Sequence, residues 1–158
     1  MSTETATVAS TASKTNTGNW RAGVAGGLAG GAVFGVMMTV TMRNVVETAI
    51  PVMYGLGTPN GAAGWAIHMS HSAVLGVAFA AVVGAAGLVG RSGRIQVGAG
   101  IVYGLLLWVV LATFVMPAWV GAAGPMNPPV PDVNPMSAVG HAVYGAVLGG
   151  VYYALEGS

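Results

Sequence analysis

No cysteine occurs anywhere in the 158 residues. That excludes disulfides, a thiolate nucleophile and any cysteine metal site, and leaves the redox compartment open. Charge is nearly as scarce. Asp, Glu, Lys and Arg together make up 6% of the chain, against about a quarter in a soluble domain. So few charges do not solvate a globular surface. Five basic residues also cannot track a phosphate backbone, which excludes nucleic acid as a partner. Apolar residues stand in their place: 54% of the chain is hydrophobic and the mean hydropathy is +0.73. These are the proportions of an integral membrane protein whose first partner is the lipid bilayer.

Residues 1–19 are rich in Ser and Thr and carry no hydrophobic period, so they read as a disordered cytoplasmic tail. Residues 20–158 form the transmembrane domain. The first apolar run is too long for a signal-peptide core and lacks a small-residue cleavage site after it, so it reads as a retained span. A bilayer core requires about 20 apolar residues of helix. Four segments qualify, at about 22–42, 65–89, 95–116 and 136–155. Breakers follow the first three: "IPVMYGLGTPNGAAG", "RSGR" and "MPAWVGAAGPMNPPVPDVNP". Proline interrupts helices and drives the preceding residue to extended geometry, so both Pro/Gly stretches are expected to be loops. Lys14, Arg21, Arg91 and Arg94 fall on one side of this arrangement and Arg43 on the other. The positive-inside rule then places both termini in the cytoplasm of a multi-pass plasma-membrane protein.

The segment "GAVFGVMMTV" (31–40) matches "GIVYGLLLWV" (100–109) at an offset of 69. A proline follows each copy, Pro51 and Pro117, then an aromatic, a glycine-rich loop and a histidine-containing helix. The chain therefore reads as two tandem two-helix repeats, related by an axis along the membrane normal. Small residues recur every four positions in each span: Gly23, Gly27, Gly31 and Gly35; Gly76, Ala80 and Gly84; Gly100 and Gly104; Gly145 and Gly149. In lipid, helices associate by close backbone approach, which such stripes permit. The expected fold is an all-α, glycine-packed four-helix bundle.

Two histidines stand in "WAIHMSHSAVLG" (65–76), and a third opens the last span. His68, His71 and His141 are each expected one or two turns below the outer interface, in one layer. Ionisable groups at such depth face the bundle or a water-filled cavity. Their plainest role is to hydrogen-bond across helices as neutral imidazoles, to Ser70, Ser72, Ser137 or loop carbonyls. A sharper one is ligation of haem b, because imidazole is a common iron ligand and facing helices commonly hold cofactors. At the repeat offset, however, His141 falls opposite Ser72 and not opposite a histidine. Met53, Met69, Met116, Met126 and Met136 also fall near the outer side. Thioether with imidazole suits copper, with Met69 and Met136 as further metal ligands, although methionine is equally an ordinary core filler.

Arg43 and Glu47 are four apart at a helix end and are expected to pair. Thr39 and Thr41 are expected to bond back to their own helix. Trp65, Trp119, Tyr54, Tyr152 and Tyr153 read as an interfacial belt. Asp132 stands alone in a Pro-rich loop and no catalytic constellation emerges, so nothing marks the chain as an enzyme. Three function classes remain. The first is a small polytopic protein whose histidine layer is structural or ligand-binding, acting as a homo-oligomer or a subunit of a larger membrane complex. The second is a haem b electron carrier, and the third is transport of protons or copper.

The closing stretch "HAVYGAVLGGVYYAL" (141–155) resembles the end of a family of small membrane proteins common in halophilic archaea, classed as a domain of unknown function. The shared pattern is the histidine of the last helix with Tyr144, Gly145, Leu148, Gly149 and Tyr152. The resemblance covers the last helix well and the other three in general character. It implies a four-helix membrane fold and no particular activity.

Overall fold

The computed structural model describes residues 17–157. Among these, helix is the only regular structure: α1 (Trp20–Thr41), α2 (Ile50–Val52), α3 (Gly61–Ala85), α4 (Gly93–Leu107), α5 (Met116–Ala123) and α6 (Pro135–Leu155). Two π-helical segments, Val45–Ala49 and Trp108–Val115, lead into α2 and α5. Four continuous helices are long and apolar enough to cross a membrane: Trp20–Thr41, Gly61–Ala85, Gly93–Ala123 and Pro135–Leu155. Most of the expected tail, residues 1–16, lies outside the described residues.

Asparagines set three of the helix starts. The side chain of Asn19 accepts from the amides of Arg21 and Ala22, Asn60 from Ala63, and Asn134 from Met136 and Ser137. Each satisfies amides that a first turn leaves orphaned. Asn60 thereby starts α3 four residues before the expected position, and Pro135 occupies the favoured first position of α6.

Neither Pro51 nor Pro117 ends its helix, in contrast to the expectation. Each lies in the first turn of a short α-helix that continues a π segment, and the third span runs 31 residues to Ala123. The physical reason is visible in the hydrogen bonds. A proline has no amide to give the carbonyl four residues back. Those carbonyls, on Glu47 and Thr113, are instead taken by amides of the following loops, Asn60 N (2.7 Å) and Asp132 N (2.9 Å). With the freed acceptors satisfied from outside, the wider π turn absorbs each proline.

The helices are arranged in the order α3, α1, α6, α4. Along α1, a Cβ on Gly23 or Gly27 would run into the Gly76 or Ser72 carbonyl of α3. On its other side, a Cβ on Gly26 or Gly30 would lie 2.8 and 2.7 Å from the Leu148 and Tyr144 carbonyls of α6. Gly100 and Gly104 of α4 similarly abut the Gly145 and His141 carbonyls of α6. Gly31 and Gly149 lie against Ser72 and the Gln96 carbonyl, and Gly35 takes the Trp65 ring. By contrast α3 and α4, the outer pair, barely touch. They meet at Tyr103, whose hydroxyl donates to the Leu75 carbonyl (2.8 Å) and whose ring lies 5.4 Å from Phe79.

Two differently built ends result. At one, the chain enters beside its exit: Asn19 N donates to the Tyr152 hydroxyl (3.0 Å). Glu156 accepts there from Gly90 N and from Gln96 Nε2, which also donates to the Leu88 carbonyl. Phe79, Val83, Leu148 and Tyr152 fill this half at 0–1% exposure. Tyr152 is therefore a core residue, not part of an interfacial belt, because α1 and the Asn19 cap close over it. Trp65, in the half away from the termini, is half-buried, its indole donating to Thr39 Oγ1 (3.1 Å). At the other end, Tyr54 and Trp119 are exposed and their rings lie 5.3 Å apart. Thr39 and Thr41 bond back to Gly35 O and Met37 O, and Arg43 pairs with Glu47 at 3.2 Å.

Candidate functional site

Because α3 and α4 diverge beyond Tyr103, the half of the bundle away from the termini encloses a cavity of about 510 Å³. Cavities that take small ligands run from about 300 to 1,000 Å³. Phe34, Met38, His141 and Tyr144 line it from α1 and α6, and His68, His71 and Ser72 from α3. Leu107 and Leu111 line it from α4 and the second π segment, and Val45 and Ala49 from the first. The polar loop residues Asp132 and Asn134 lie at its rim. Both proline-linked π segments thus border one space, and departures of this kind from α geometry are frequent at functional sites.

The three predicted histidines all line this cavity. The helix positions explain why. His68 and Ser72 share the face of α3 that packs on α1, and His71 turns toward the α2 side. His68 Nε2 lies 2.9 Å from the Gly31 carbonyl of α1. A carbonyl only accepts, so this nitrogen carries the proton and Nδ1 keeps its lone pair. His141 has the opposite tautomer: Nδ1 donates to the Ser137 carbonyl (2.8 Å), which leaves the lone pair on Nε2. His71 Nε2 is 2.6 Å from the Tyr54 hydroxyl. Phe34 joins the first two imidazoles, its ring in edge contact with His68 (5.8 Å) and His141 (4.8 Å). Tyr144 spans the cavity floor, donating to the Ser72 carbonyl (3.0 Å). Of the hydrogen bonds expected of the histidines, one crosses to a neighbouring helix backbone and one stays within α6.

Methionines are abundant here, though not the two singled out as metal ligands. Met38, Met42, Met53, Met116 and Met126 line the cavity. Met69 is half-buried against the α1 side, its sulfur near Gly31, and Met136 is exposed on the first turn of α6. Among the described residues, no three His, Asp or Glu side chains are grouped to hold a metal ion. His68 Nε2 is also committed to Gly31. The donor set therefore fits hydrogen bonding to a ligand better than ligation of a metal centre. Lys and Arg are missing from the lining. The contributions of Phe34, Tyr144 and Tyr54 escaped the reading of the sequence. In Phe34 the available signal was its place one turn from the glycines that face α3 and α6. Asp132, read as solitary, was displaced to the rim by the Thr113 carbonyl that Pro117 leaves free.

No family model matches the chain, and no curated protein or solved structure matches it.

Proposed function

We propose that this chain is a multi-pass protein of the cell membrane, with both termini cytoplasmic, whose outer-leaflet histidine cavity binds a small ligand. One observation carries the reading: His68, His71 and His141, from two different helices, line a single ligand-sized cavity. A bundle that needed the imidazoles only as inter-helix ties would have no reason to leave this volume beside them.

The orientation rests on charge. The end holding Asn19 and Glu156 also carries Arg21, Arg91 and Arg94, and cytoplasmic loops concentrate such residues. The cavity then opens toward the outer side. The build is two tandem two-helix units held by glycines. Each unit has a π segment, a proline and a carbonyl handed to the next loop, and in each a pair of glycines four apart abuts carbonyls of the partner helix. The second unit has slipped, however. Ser72 and His141 are 69 apart, yet the glycines they meet, Gly27 and Gly104, are 77 apart. That difference is about two helical turns, and it accounts for a histidine standing where the first unit has serine.

The test is the set of small molecules that co-purify. Wild type, His141→Ala and a cavity-filling Ala112→Phe are extracted in a mild detergent and examined by native mass spectrometry. A bound species present in wild type and lost from both variants is expected, and identical profiles for all three would defeat the reading. A redox role rests on less, namely the free Nε2 of His141, and predicts a Soret band or stoichiometric copper in the same wild-type sample. Transport of protons or copper is opposed by the buried layer of Phe79, Val83, Leu148 and Tyr152, which separates the cavity from the cytoplasmic end.

A further inference from the structure

The chemistry of the lining narrows what the cavity holds. Its walls are largely apolar, with Met38, Ile50, Leu107 and Leu111 among them. Its polar groups are few, the histidines, Ser72, Tyr144 and Asp132 among them. A ligand that fits both has an apolar body and a compact polar head.

Two observations set the character of that head. First, Lys and Arg are missing from the lining while one carboxylate, Asp132, is present, so an anionic head such as a phosphate or carboxylate would meet no countercharge. Second, His68, His141 and Tyr144 each present a lone pair that takes no hydrogen bond from the protein. The bond to Ser137 leaves His141 Nε2 as an acceptor, and the bond to Gly31 leaves His68 Nδ1 as one. The Tyr144 hydroxyl has spent its proton on Ser72 and offers only its oxygen. These acceptors call for a head that brings its own hydrogen. Access is lateral as well as from the loops. Val74, which lines the cavity, is 67% exposed on the flank where α3 and α4 diverge, a flank that faces acyl chains in a bilayer.

We infer that the cavity takes from the bilayer an uncharged amphiphile whose head donates a hydroxyl hydrogen bond, a lipid alcohol or a hydroquinone, with His141 Nε2 as its principal acceptor. This rests on the ligand-binding reading above and names the ligand's class. No covalent or redox step is implied.

The experiment uses the full chain in lipid nanodiscs and measures equilibrium binding of radiolabelled decylhydroquinone and of dioctanoylglycerol, which separate the two sources of hydroxyl. Each is compared with its own methyl ether, which has the same body but no donor. At least one alcohol should bind, with its ether weaker by about three- to tenfold, as expected for one lost hydrogen bond. The His141→Phe variant, close to histidine in size, should abolish that difference while still binding the body. Ala112→Phe should remove binding of both, with unchanged helix content by circular dichroism confirming that it folds. An ether that binds as tightly as its alcohol, or an alkyl phosphate that binds more tightly, would overturn the head assignment while the cavity reading stands. If no amphiphile binds and Ala112→Phe changes nothing, both fall.

Discussion

Individual side chains here act mainly by handing single hydrogen bonds between helices. Tyr103 and Tyr144 both donate into the α3 backbone, at Leu75 and Ser72. In membrane proteins such bonds average about 0.6 kcal/mol, because the unfolded chain in lipid also finds partners. Tyr103→Phe and Tyr144→Phe should each lower stability by about that much in mixed-micelle unfolding. A loss several times greater would mean that the ring itself shifts. The histidines were legible in the sequence as candidates, and all three line one cavity. Their tautomers were not, since Gly31 and Ser137 become their partners only through the packing of α1 on α3 and the local turn of α6. Phe34 and Asp132 were missed for a related reason: an apolar ring at helical spacing and a lone loop carboxylate carry no signal until tertiary structure aims them.

At the scale of the element, the glycines divide into two kinds. A Cβ on Gly104 would strike the His141 carbonyl, whereas one on Gly98 of the same helix meets nothing within 4 Å. Gly104→Val should therefore destabilise the α4–α6 pair by about 1–3 kcal/mol, as overpacking does. Gly98→Ala should be neutral or stabilise by up to about 1 kcal/mol, and the same unfolding assay reads both. The proline elements make a second prediction. In Pro117→Ala the new amide competes for the Thr113 carbonyl, so the Asp132 amide loses its partner. Hydrogen exchange around Asp132 should accelerate while that of α1 is unchanged. The sequence marked both prolines correctly as irregular points but not as continuations. A proline breaks a helix only when its orphaned carbonyl stays unsatisfied, and the loop amides that satisfy Glu47 and Thr113 lie 13 and 19 residues further along.

For the whole molecule, the missing cysteine is an experimental advantage. Single cysteines introduced at Ser92 and at Asn127 should report the orientation with a membrane-impermeant maleimide on intact cells. Asn127→Cys is expected to react at once and Ser92→Cys only after permeabilisation, and the reverse pattern would invert the membrane. Span number and all-helical class followed from composition and period alone, since a bilayer imposes length and apolarity on each helix separately and those are local properties of the chain. Which helices touch and the cavity beside the histidines were decided by tertiary structure. Glycine stripes run through every span and permit close approach to any neighbour. The order α3, α1, α6, α4, with the outer pair apart, therefore appears only once the helices are packed.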